Sequence, residues 1–151
     1  MFYYIIMNRF ALLVMVWVMA KLAHFWCLKT KFAGEDPIKS IDFSPDGQYI
    51  LTAEHSGRIM LWKSNTLEVL KVYNFGNIAE EAVFSKDQTM IAIGGDDDDV
   101  HIINPTTFSL TRTLDTDHGY VTDVDFRYDS DRLLTCGCDK DHAIWNTNSW
   151  N

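Results

Sequence analysis

The feature that most constrains this chain is a spacing. The segments GRIMLWK (57–63), DDVHIIN (98–104) and KDHAIWN (140–146) align on Trp62, Ile103 and Trp145, which lie 41 and 42 residues apart. A second marker keeps the same intervals: IDFSPDG (41–47), AVFSKDQ (82–88) and VDFRYDS (124–130) place Phe43, Phe84 and Phe126 in register. One unit of about 40 residues is therefore present three times, and any fold for this chain must be built from three copies of it.

Inside the unit the pattern is that of strands. In the first copy Ile38–Phe43, Gln48–Ala53, Ile59–Trp62 and Val69–Tyr73 are short runs of β-branched and aromatic residues, separated by SPDG, EHSG and SNT. Pro45 fixes φ, Asp46 offers a side-chain acceptor and Gly47 tolerates positive φ, which together make a tight turn. Four antiparallel strands per unit follow. A single sheet of this size cannot bury both faces, whereas stacking each sheet on the next does, so the period predicts radial or linear stacking. Four strands in about 40 residues match one blade of a β-propeller.

Over roughly residues 29–151 the chain resembles the WD-repeat family of β-propellers. That family's unit runs from a Gly-His through an apolar strand and FSPDG to an Asp-bearing turn and a closing Trp-Asp. FSPDG stands outright at 43–47, while Trp-Lys, Ile-Asn and Trp-Asn occupy the closing dipeptide. The resemblance implies an all-β partial propeller of three four-stranded antiparallel blades, at about 34–75, 76–115 and 116–151, the last lacking its outer strand. FWCLKTKF (25–32) resembles the outer strand of a preceding blade.

The resemblance also implies a structural hydrogen-bond network of His, Ser or Thr, Asp and Trp. In the third unit His118, Thr135, Asp139 and Trp145 fall on those positions. The first unit keeps Thr52 and Trp62, with Glu35 at the His position and Ser56 at the Asp position; the second keeps only Asp97. Each missing partner removes a hydrogen bond worth about 1 kcal/mol, so the third blade is expected to be the most rigid. Propellers close with about 4–8 blades. Three accounts of the shortfall are open: a fragment of a larger propeller, which is put first, oligomerisation that completes a ring, or an open stack whose bare faces demand a partner.

Charge divides the chain. All 21 acidic residues lie at or beyond Glu35, whereas residues 1–33 carry four cations and no anion. Residues 34–151 thus carry −12 and residues 1–33 +4, for a net −8, which argues against binding a phosphate backbone. Residues 1–28 form a hydrophobic N-terminal segment, open between helix and strand. FALLVMVWVMAKLAHFWCL (10–28) is apolar apart from Lys21 and His24, a marginal span for a membrane. Arg9, the apolar run from Ala11 and the small Ala20 equally suit a signal peptide. A membrane anchor, a segment packed on a blade, a spurious stretch and a signal peptide all remain open. Cys27, Cys136 and Cys138 cannot all pair within one chain and read as reduced thiols, which places the body in the cytoplasm, with membrane association open.

Candidate chemistry is sparse. GGDDDD (94–99) is read as a solvated turn and not a calcium site, because adjacent carboxylates on one turn diverge. His55, His101, His118 and His142 make no local motif with a nucleophile, so no catalytic residue, metal or cofactor is assigned. The expected activity is a non-catalytic protein-interaction scaffold. Its partner-binding face would comprise Glu35, His55, Asn77, Asp98, Tyr120 and Lys140, the loops that enter the first strand and join the second to the third, and its acidity would steer basic proteins or peptides. Other propeller blades or a second copy are further partners. The alternative is a membrane-tethered regulator of a small GTPase or a vesicle coat, which rests on residues 10–28 alone.

Overall fold

The computed structural model describes residues 36–117, 119–139 and 142–150. The repeat resolves into eleven strands among them. β1 (Ile38–Phe43), β2 (Tyr49–Glu54), β3 (Arg58–Lys63) and β4 (Val69–Asn74) form one sheet in that order. β5 (Ala79–Phe84), β6 (Ile91–Gly95), β7 (Asp99–Asn104) and β8 (Ser109–Asp115) form a second. β9 (Val121–Phe126), β10 (Arg132–Gly137) and β11 (His142–Asn146) form a third, of three strands. Every pairing is antiparallel. The fold is an all-β stack consistent with part of a propeller, the architecture that the period requires.

The turns explain why the register repeats. In the first, Ser44 Oγ donates to Asp46 Oδ1 (2.6 Å) and accepts from Tyr49 N (2.9 Å), which holds Gln48 in the turn and starts β2 one residue later than the sequence pattern suggests. Ser85 and Asp87 repeat this geometry in the second unit. The fourth turn residue takes positive φ in all three copies: Gly47, Gln88 and Ser130. So does the residue closing the third-strand turn, Leu67, Phe108 and Trp150, each donating its N–H to the carbonyl four residues back.

Packing follows the alternation of side chains along strands. One core lies between the first two sheets, where Leu51, Ala53, Ile59 and Leu61 meet Ala82, Phe84, Ile91 and Ile103. A second lies between the second and third, where Ala92, Val100 and Ile102 meet Val124, Phe126 and Leu133. The innermost strands also clasp by side chain to backbone: Ser40 Oγ accepts from Ala82 N (3.0 Å) and Asp42 Oδ2 from Phe84 N (2.9 Å). Between the second and third sheets the clasp differs, with Ser130 Oγ accepting from Asp87 N (3.0 Å) and Lys86 paired to Asp125 (3.5 Å). The apolar segment 10–28 lies outside the described residues. No helix among the described residues is long and apolar enough to cross a membrane.

Candidate interaction face

One end of the stack gathers the loops that precede each first strand and the turns between each second and third strand. A single backbone bond ties each pair together: His55 N to Pro37 O (2.9 Å), Asp96 N to Ile78 O (3.1 Å) and Cys138 N to Tyr120 O (3.1 Å). Gly57 lets the first of these turns sit against the next loop. A Cβ at Gly57 would stand 2.1 Å from Asn77 O, and its φ of 82° is left-handed, so only glycine fits.

On this end His55, Asn77 and Asp98 are exposed and Tyr120 is half-buried. Glu35, His118 and Lys140 lie outside the described residues. Tyr120 is the best anchored, because its OH donates to Glu80 Oε1 (2.5 Å) while Lys39 Nζ reaches Glu80 Oε2 (2.8 Å). One carboxylate on β5 thereby links β1 to the loop residue that immediately precedes β9. Burial alone would raise the Glu80 carboxyl, but its bonds to Lys39 and Tyr120 and the nearby His55 outweigh this and leave it below the ordinary range. The same bond, with some burial, pushes the Tyr120 hydroxyl up to about 12, so it remains a donor at neutral pH.

The four adjacent carboxylates diverge. Asp96 Oδ1 accepts from Ile78 N (2.8 Å), Asp97 Oδ2 lies 3.4 Å from His101 Nε2, Asp98 is exposed with φ 65°, and Asp99 faces Asp115 across the β7–β8 pair. No group of three or more His, Cys, Asp or Glu with metal-holding geometry occurs among the described residues.

The hydrogen-bond positions differ between sheets. Trp62 Nε1 donates to Thr52 Oγ1 (2.9 Å), and Trp145 Nε1 to Thr135 Oγ1 (3.1 Å), with Asp139 in the adjoining turn. In the second sheet Ile93 and Ile103 replace both members of the pair and are fully buried. Asp97 is there served from its own sheet: His101 faces it and also meets Tyr73 Oη of the first sheet through Nδ1 (3.1 Å), with its ring against Phe75. Burial raises the Asp97 carboxyl, and the His101 charge opposes that rise.

Sequence reasoning missed Lys39, Glu80, His101 and Tyr73. The only signal was spacing, since Lys39, Glu80 and Tyr120 stand about one period apart, and residues one period apart on inner strands are neighbours in a stack. It also missed Glu54, fully buried, with neither carboxylate oxygen hydrogen-bonded and Arg58 at 3.7 Å. Glu81 is a third omission. Burial, then Asp123, Asp42 and Asp125, push its carboxyl up to about 7.

Comparison with known proteins gives a consistent picture. The family model described as "WD domain, G-beta repeat" matches residues 25–63 and 108–146, the first and third units, which carry the Thr and Trp pair that the second has lost. The UBP9-binding protein bun62 of Schizosaccharomyces pombe is 32% identical over 120 residues, covering 74% of this chain and 22% of that protein. Protein HIR1 of Cryptococcus neoformans is 33% identical over 108 residues, covering 70% of this chain and 12% of that one. The U3-55K structure superposes with a TM-score of 0.75 at 17% identity, over 80% of this chain and 39% of that one, a likeness of fold. The chain thus spans well under half the length of the proteins it matches.

Proposed function

Because this chain belongs to the WD-repeat family, whose members are generally protein-interaction scaffolds, we propose that it is a non-catalytic scaffold whose loop end receives a basic protein segment. The observation that carries this reading is the Lys39–Glu80–Tyr120 linkage, which ties the loop end together across three sheets, with Asp98 exposed in one of the turns of that end. A surface held in one arrangement loses little entropy on binding, and its anionic groups raise the rate of encounter with cations. His55, Asn77, Asp98 and Tyr120 are the contact residues of this proposal, with Glu35 and Lys140 on the same loops. Thr52, Trp62, Asp97, Thr135, Asp139 and Trp145, with His118, are assigned structural roles beneath it. The relative named as a UBP9-binding protein supports binding as the mode of action. The membrane-tethered alternative draws on residues 10–28 alone.

Fluorescence anisotropy with a labelled lysine- and arginine-rich peptide tests the reading. Binding should weaken steeply with salt and fall about tenfold for Asp98→Lys, the loss of about 1.4 kcal/mol that a reversed rim charge can cause. Binding of equal strength by the reversed variant would overturn the assignment of this face.

A further inference from the structure

Between the first two sheets, at the end of the strands opposite the loop end, lies a cavity of about 340 Å³. Its floor is Leu61 and Phe84, at most 5% exposed, and its rim is Tyr49, Leu70, Pro105 and Thr106. Leu70 stands there because of a bulge. Leu61 pairs with Lys71 and Trp62 with Val69, which leaves Leu70 as the extra residue of β4, 40% exposed. The same bulge in β8 carries Thr111, whose Oγ1 donates to Ile102 O (2.8 Å) and so closes on its own sheet. Leu70 has no hydroxyl for that bond and lines the cavity instead.

The equivalent place between the second and third sheets is filled from within. There Arg112, the counterpart of Lys71, lies 5.6 Å from the centre of the Trp150 ring, which packs against the second core. Phe108, the counterpart of Trp150, has the same left-handed backbone but a smaller ring, 7% exposed and drawn into the first core. The space that Trp150 takes up in one interface is left open in the other. Its volume is at the small end of the range for ligand sites, which suits one large side chain.

The charge at the cavity is the reverse of that of the molecule. Residues 34–151 carry −12, yet among the described residues that line the cavity none is anionic, and Lys71 is one of them. Lys63, exposed and paired with Tyr49 across β2 and β3, adds a second cation at the rim. Asp46 approaches through the Gln88 amide, which donates to it (3.2 Å), but its carboxylate is held in its own turn by Ser44 Oγ and Gln48 N. Lys71 Nζ donates to the Thr106 carbonyl across the cavity, which occupies one of its three N–H groups and leaves two for an incoming carboxylate. β4 is the edge of its sheet among the described residues, so its outward N–H and C=O groups offer partners to an extended segment. We propose that this groove binds an acidic peptide segment of a partner protein, which inserts one aromatic side chain between Leu70 and Pro105 and sets a carboxylate on Lys71. The site is built by the first two sheets alone, at the other end of the strands from the loop end, and does not depend on that proposal.

Fluorescence anisotropy of a fluorescein-labelled Glu-Asp-Trp-Asp-Glu peptide, titrated with the full chain, tests this. Saturable binding with a dissociation constant of about 100 µM is expected of one anchor side chain in a small groove. Alanine in place of the peptide's tryptophan, or glutamine and asparagine in place of its acids, should each weaken binding at least about tenfold. Lys71→Gln should do the same, and Leu70→Thr, which installs the residue of the second sheet's bulge, should weaken it about fivefold. Phe108→Trp should fill the groove from within, as Trp150 does in the next interface, and abolish binding. Circular dichroism checks that each variant folds, and Leu70→Thr at its partly exposed position decides the matter if Phe108→Trp does not. Absence of saturation up to about 500 µM chain overturns the proposal. So does undiminished binding by Lys71→Gln, by Leu70→Thr or by a folded Phe108→Trp, or binding that does not need the peptide's tryptophan or its acids.

Discussion

Two carboxylates decide how single residues tune this protein. Glu81 sits among Asp42, Asp123 and Asp125 and holds its proton to about pH 7, whereas in the unfolded chain it ionises near its ordinary value of 4.5. A folded-state pKa above the unfolded one means that the folded state binds the extra proton, so stability is full below pH 4.5 and declines as pH rises toward 7. The decline should be about 1–2 kcal/mol once the partial exposure of the carboxylate is allowed for, and Glu81→Gln should abolish it in urea titrations at pH 5 and pH 8. Glu54 is the harder case, a fully buried carboxylate facing Arg58 at 3.7 Å with no hydrogen bond of its own. Replacing a poorly satisfied buried ion by an apolar group of similar volume is neutral or stabilising, so Glu54→Met should leave the unfolding midpoint unchanged or raised. Arg58→Ala should destabilise the fold by about 1–3 kcal/mol and lower the midpoint accordingly, since the carboxylate is then left buried without its neighbouring charge.

At the scale of the sheet, one hydrogen-bonded pair and its apolar replacement occur side by side in the same molecule. Trp62 and Thr52 are bonded across β2 and β3, and the same two positions in β6 and β7 are Ile103 and Ile93. An unpaired buried donor is costly, whereas removing both partners costs little. Thr52→Val should therefore destabilise by about 1–2 kcal/mol, and adding Trp62→Phe should recover part of that loss as a favourable coupling in a double-mutant cycle. The markers at Phe43, Phe84 and Phe126 and the turns SPDG, SKDQ and RYDS were legible because strand alternation and turn chemistry are local properties. His101 was not. It lies on β7 with no motif around it, and only the placement of Tyr73 and Phe75 from the first sheet gives it an environment.

For the molecule as a whole, stacking decides which apolar pairs are covered: Leu51 with Leu61 and Ala92 with Ile102 are buried beneath a following sheet. The amino-acid sequence by itself determined the period, the strands, their turns and the stacked all-β class, because each is written in neighbouring residues and repeated three times over. The tertiary structure alone decided that Glu80 joins Lys39 to Tyr120, that Asp97 turns to His101, that Glu54 and Glu81 are withdrawn from water, and that Leu134 and Ile144 stay bare while their equivalents are covered. Those outcomes depend on which side chains from sheets about 40 residues apart arrive at the same point, and on the dielectric they find there, neither of which is encoded at any one position of the chain.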